Sequence, residues 1–166
     1  SGKSVTAAAI MGILPSPPAR IKAEAITVDG KNLLTLSRSK RRRMRGREMS
    51  LVLQDSLASL NPVKTVGSQI AEMFTTHLGT SRRDAKDRAI ELLHRVGIAS
   101  PRARFDRYPH EYSGGMRQRA MIAMGIALGP TLLIADEPTT ALDVTVQAQI
   151  IELLAELQAT TSMAIM

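Results

Sequence analysis

Two adjacent carboxylates, Asp136 and Glu137, follow an apolar run from Leu132 to Ala135. Such a run reads as a buried strand, and its end falls at the sheet edge where open α/β sheets bind ligands. There Asp136 could hold the hydration shell of a Mg²⁺ ion, and Glu137 could polarise a water for attack on a phosphate. A strand end with solvated acids, stopped by Pro138, accounts for the same residues equally well. Gly2-Lys3-Ser4 stands at the head of an Ala- and Ile-rich stretch through Leu14 that favours helix. In a phosphate-binding loop, backbone N–H groups at a helix start cradle the phosphates. The lysine reaches the outer phosphates and the serine hydroxyl ligates Mg²⁺. The full pattern needs an earlier glycine that lies ahead of the first residue, and the tripeptide alone also suits a turn at a frayed terminus. Ser113-Gly114-Gly115 opens a further helix over Met116 to Leu128. Its glycines let the backbone approach an anion closely. A serine there is also an ordinary cap, but two glycines cost helix stability.

The elements that must position these residues follow from periodicity and breakers. Pro15, Pro17 and Pro18 end the first helix, and Ala23 to Val28 reads as a short strand closed by Asp29-Gly30. Met49 to Leu53 is a short apolar run that reads as a buried strand. Val66 to Leu78 and Arg82 to Val96 both carry helical spacing. In the second, Ala89, Leu92, Leu93 and Val96 share a face opposite Arg82, Arg83 and Asp87. Pro101 and Pro109 punctuate a loop-rich link. Gly129-Pro130 ends the third helix, Thr131 to Ala135 reads as a central parallel strand, and Val144 to Leu157 is helical. The order is α/β, then helical, then α/β, so an inserted helical subdomain is expected. Its bounds are 61–128, with residues 1–60 and 129–166 forming the core.

Composition narrows the chemistry. Of the 166 residues, 44% are apolar and 22% charged, which is globular and argues against disorder. No cysteine is present, which excludes disulfides, thiolate metal sites and a thiol nucleophile. A net charge of +7 favours an anionic partner without choosing which. The charge-free run Ala120 to Ala135, which no other run exceeds, is shorter than the ~20 apolar residues of a spanning helix. Membrane contact is therefore expected only through a partner. No initiator Met is present and Ser162 to Met166 reads as a strand just begun, so a fragment truncated at both ends is expected.

The motifs in series carry a specific resemblance. Tyr112-Ser-Gly-Gly-Met-Arg-Gln-Arg119, then Leu133-Ile-Ala-Asp-Glu-Pro138, then Thr140-Ala-Leu-Asp143 resemble the signature, Walker B and D-loop of ABC ATPases in order and spacing. Gln54, after Met49 to Leu53, resembles the Q-loop glutamine. Gln54-Asp55, Ser59-Leu-Asn-Pro62, Thr65-Val-Gly67, Tyr108-Pro-His-Glu111 and Asp143-Val-Thr-Val-Gln-Ala-Gln149 are similar to the ATP-binding subunits of dipeptide, oligopeptide and nickel importers. Two positions depart from the family pattern, Tyr112 where leucine is usual and Met116 where glutamine is usual.

The resemblance implies a P-loop NTPase (RecA-like) core of the ABC type, with ATP and Mg²⁺ as ligands. Gly2, Lys3 and Ser4 would bind the phosphates, with Ser4, Gln54 and Asp136 about the Mg²⁺. Glu137 would be the catalytic base and Gln54 the γ-phosphate sensor. Ser113, Gly114 and Gly115 would serve the nucleotide of a second ABC ATPase subunit, and Asp143 would lie between the two. The implied setting is the cytoplasmic face of the inner membrane. There transmembrane permease subunits would be direct partners and an extracytoplasmic solute-binding protein an indirect one. The stretch from Gln54 to about Phe74 would meet the permease. His77, His94 and His110 do not occupy the family's switch position and read as surface or structural residues. The solute could be a di- or oligopeptide or nickel. A soluble ABC-type ATPase acting on nucleic acid or ribosomes is the alternative. The cluster Arg38, Lys40, Arg41, Arg42, Arg43, Arg45 and Arg47 suits that alternative, a solvated helix or an anionic membrane face. The only aromatics are Phe74, Phe105, Tyr108 and Tyr112 and none interleaves the cluster. No nucleic-acid partner is expected.

Overall fold

A computed structural model describes residues 2–53, 59–139 and 142–166. Helix α1 (Lys3–Met11) ends at Gly12, whose φ of 64° lets the chain turn in the left-handed conformation. The amides of Gly12 and Ile13 bond back to the Ala9 and Ala8 carbonyls, a Schellman closure. Strands β1 (Thr27–Val28) and β2 (Lys31–Asn32) form a two-residue hairpin over Asp29-Gly30, both at positive φ. The strand expected from Ala23 is therefore only its last two residues. The ladder reaches no further because β2 is the sole partner and is equally short.

Ser37 caps α2 (Arg38–Met44), the basic helix, which leads into β3 (Met49–Val52). Thr65 caps α3 (Val66–Leu78), and Ser81 caps α4 (Arg82–Arg95). The loop-rich link contains α5 (Pro101–Phe105), which starts on a proline that needs no donor and buries Phe105. A 3₁₀ turn spans Pro109–Glu111. Ser113 caps α6 (Gly114–Ile126), so the helix starts two residues earlier than expected and both glycines lie in its first turn. Then come β4 (Leu132–Ala135), α7 (Val144–Thr160) and β5 (Ala164–Ile165).

Strands β3, β4 and β5 form a parallel sheet in that order, with Met49 opposite Leu132 and Leu133 opposite Ile165. Side chains alternate between its faces. Met49, Ile134 and their neighbours join Ala7 and Met11 of α1 and Leu33 in one apolar cluster. Val52 and Leu133 join Ile122 and Ile126 of α6, Ile150 of α7, and Ile70 and Leu93 of the helical block in a larger one. Helices thus cover both faces, the arrangement that parallel strands require. Helix α6 comes close because of Gly125, where an added Cβ would stand 3.1 Å from both Leu133 and Val52. The apolar core therefore runs without interruption from the sheet into residues 61–128. Among the described residues, no helix is long and apolar enough to cross a membrane.

Candidate active site

The carboxyl edge of the parallel sheet sets the site. Asp136 and Glu137 leave β4 there, and the Asp136 amide still donates to the Val52 carbonyl at 3.0 Å. The start of α1 lies against the same edge. Gly2, Lys3, Thr6 and Ala7 form one wall of a cavity of about 440 Å³, and Ala135, Asp136 and Glu137 form the other. The Met166 backbone closes a third side, held by its amide on Leu133 and by the Ala135 amide on its own carbonyl.

Lys3 Nζ stands 2.9 Å from Glu137 Oε1. The Glu137 carboxylate, through this hydrogen bond and its charge, holds the Lys3 ammonium above its ordinary pKa of 10.5, and Asp136 adds to the effect. Lys3 is therefore a cation throughout the neutral range. Both side chains remain open to solvent, so an anion arriving from outside meets the cation and the unsatisfied first-turn amides of α1 together. Glu137 sits at φ 49°, a left-handed conformation that a residue with a Cβ rarely adopts. Strain of this kind costs on the order of 1–3 kcal/mol and is kept where a side chain must be aimed.

The structure thus brings Gly2, Lys3, Asp136 and Glu137 together. Ser4 lies in the same first turn of α1, exposed and outside the cavity lining. Gln54 lies outside the described residues. Ser113, Gly114, Gly115 and Asp143 form a second group, and none of them lines the cavity. Ser113 Oγ accepts from the Met116 amide at 3.3 Å, and Asp143 Oδ1 accepts from the Val146 amide at 2.9 Å. Both are helix caps in this fold. A Cβ on Gly115 would fall 2.7 Å from Val146 Cγ1, and one on Gly114 would fall 3.3 Å from Leu142. Packing of α6 on α7 therefore gives Gly115 a structural reason of its own. Thr6 is a lining residue that motif reading passed over. The signal was available, since position i+3 from Lys3 shares its helix face. Thr6 Oγ1 also donates to the Gly2 carbonyl at 2.9 Å, which fastens the entry to α1.

The family profile of the ABC transporter matches residues 1–140. The chain belongs to the ABC transporter family. This ABC transporter chain is 53% identical to the oligopeptide transport ATP-binding protein OppD of Bacillus subtilis, over 95% of its own length and 44% of that protein. It is 54% identical to the dipeptide transport ATP-binding protein DppD of Haemophilus influenzae, over 95% of itself and 48% of the relative. To DppD of Escherichia coli the figures are 53%, 99% and 50%. The chain thus spans about half the length of the curated relatives it matches. Among solved structures it resembles the ATP-binding cassette MJ0796, described as a dimer in a post-hydrolysis state bound to ADP and Pi. The TM-score is 0.79 at 23% identity, covering 99% of this chain and 68% of that one. That likeness establishes the fold, an ABC-type P-loop core.

Proposed function

We propose that this chain is the ATP-binding and hydrolysing part of a subunit that energises an importer of dipeptides or oligopeptides. The observation that carries the reading is the meeting of Lys3, Asp136 and Glu137 at the carboxyl edge of a parallel sheet. The identity to peptide transport ATP-binding proteins supports the solute class. Gly2 and the first-turn amides of α1 cradle the phosphates, and Lys3 leaves Glu137 to pair with the outer ones. Glu137, freed from Lys3, accepts the proton of the attacking water and orients it toward the γ-phosphate. Asp136 and Ser4 would hold a Mg²⁺ ion, a role that the family resemblance also gives to Gln54. Such a hard cation takes one or two protein oxygens and fills its remaining positions from substrate phosphates and water. Bound there, Mg²⁺ would neutralise charge on the β- and γ-phosphates.

Ser113, Gly114 and Gly115 stand apart from the Lys3 cavity. In the proposed assembly they close the site of a second ABC ATPase subunit, with Asp143 at the contact. Residues 61–128 act as the arm that carries them. Transmembrane permease subunits at the cytoplasmic face of the membrane hold the pair. An extracytoplasmic solute-binding protein delivers the peptide.

Phosphate release from Mg-ATP by the intact protein tests the reading. Wild-type turnover is expected, and Glu137→Gln should lower it by about a hundredfold or more. Turnover undiminished in Glu137→Gln would overturn the assignment.

A further inference from the structure

Helix α2 lines a cavity of about 630 Å³ with Arg38, Arg41 and Arg42, and Arg45 follows just beyond it. The facing wall is the 12–21 segment, which contributes Ile13, Leu14 and Ile21. A second cavity of about 460 Å³ shares Arg42 and Arg45 and adds Met73 and His77. Among the described residues, no carboxylate lines either cavity. Glu48, the acid that follows Arg45 and Arg47, is engaged by Lys31 at 2.7 Å. Arg47 is spent on the His77 carbonyl.

Arg41 is the anchor. Its Nη2 donates to the carbonyls of Ala9 and Ile10 at 3.0 and 3.4 Å, closing the end of α1. Its guanidinium lies over Gly12, where a Cβ would come within 2.7 Å. Its Nε is shielded from solvent and has no hydrogen-bond partner among the described residues. A shielded donor without an acceptor is costly, and four arginines around one concavity repel each other unless an anion joins them.

We propose that this pocket binds a phosphate-bearing small molecule. Guanidinium groups hold a phosphate by paired N–H donors, the geometry Arg42 and Arg45 can supply. Ile13, Leu14 and Ile21 offer apolar surface to the organic part. The volume matches a small-molecule site, whereas a duplex would rest on the outside. The phosphate can arrive on a soluble phosphoester or as the headgroup of an anionic lipid. The pocket shares no residue with the Lys3 cavity, since the two lie at opposite ends of α1.

The test uses the intact protein carrying Lys3→Ala, which weakens phosphate binding at the proposed nucleotide site. Pyrophosphate is titrated by calorimetry, and vesicles of phosphatidylglycerol or of phosphatidylcholine are tested by co-sedimentation. Binding of pyrophosphate assigns a soluble phosphate compound, and binding of phosphatidylglycerol vesicles alone assigns a lipid headgroup. In either case adding Arg42→Glu and Arg45→Glu should weaken it by at least about tenfold with the melting temperature kept. Arg38→Gln, at an exposed position, should weaken it several-fold. No binding of either probe, or binding that survives Arg42→Glu with Arg45→Glu, overturns the proposal. Tighter binding of a double-stranded oligonucleotide than of either probe overturns it in favour of a nucleic-acid surface.

Discussion

Lys3 and Glu137 are ion-paired at 2.9 Å, so the cation at the start of α1 and the carboxylate beyond β4 hold each other. Both groups are accessible, and exposed ion pairs are readily displaced. In the proposed mechanism a triphosphate offers Lys3 a stronger anion and leaves Glu137 to act on water. Lys3→Ala should therefore lower ATP turnover by about a hundredfold or more while leaving the melting temperature nearly unchanged. A phosphate-release assay and a thermal melt on the same protein check both halves. The pairing raises the Lys3 pKa, so its stabilising effect is complete below 10.5 and is lost only as pH rises beyond that. Activity changes between pH 6 and 9 should thus survive in variants that keep Lys3 paired.

Gly115 carries two demands that can be separated. Its missing Cβ makes room for Val146 Cγ1, and its backbone is proposed to face a partner's γ-phosphate. Gly115→Ala should destabilise the fold by about 1–3 kcal/mol through overpacking. Adding Val146→Ala should restore most of that loss in a denaturant melt. ATP turnover should stay low in the double variant. Full recovery of turnover together with stability would mean that packing is the whole role of Gly115.

Tyr112 stands where the family usually has leucine, and the fold explains the hydroxyl. The side chain is buried and donates to the Arg104 carbonyl at 2.9 Å, which joins α5 to the start of α6. Burial pushes the phenol up to about 12 from 10.0. The raised value means the stabilisation is complete below pH 10.0 and disappears as pH climbs toward 12. Ultraviolet titration of tyrosinate should show a late transition that Tyr112→Phe removes. The same substitution should cost about 1 kcal/mol at neutral pH, the net value of one hydrogen bond. A wild-type transition complete by pH 10 would contradict the burial.

Much of this was readable from residue types. The run from Thr131 to Ala135, the breakers Gly129-Pro130 and the paired acids place β4 and its edge by residue type alone. Val66 to Leu78 matched α3 at both ends, because a Thr cap and a Gly stop bracket a clear helical period. Short elements escaped. Pro101–Phe105 is too brief to show a period, and its helix forms because Phe105 is buried against α3 and α4. The start of α6 was read two residues late, since glycines argue against helix while the Ser113 cap and contact with α7 outweigh them. The Lys3–Glu137 pair joins residues far apart in sequence, and the left-handed turn at Glu137 belongs to no local propensity. Neither could be seen without the fold.

The division between the Lys3 cavity and the Ser113–Gly115 turn is central, because in the proposed assembly two chains complete one site. The mass in solution of the intact Glu137→Gln protein, measured by light scattering with saturating Mg-ATP, tests it most directly. The account predicts a doubled mass with nucleotide and a single-chain mass without it. A single-chain mass under both conditions would contradict the composite site.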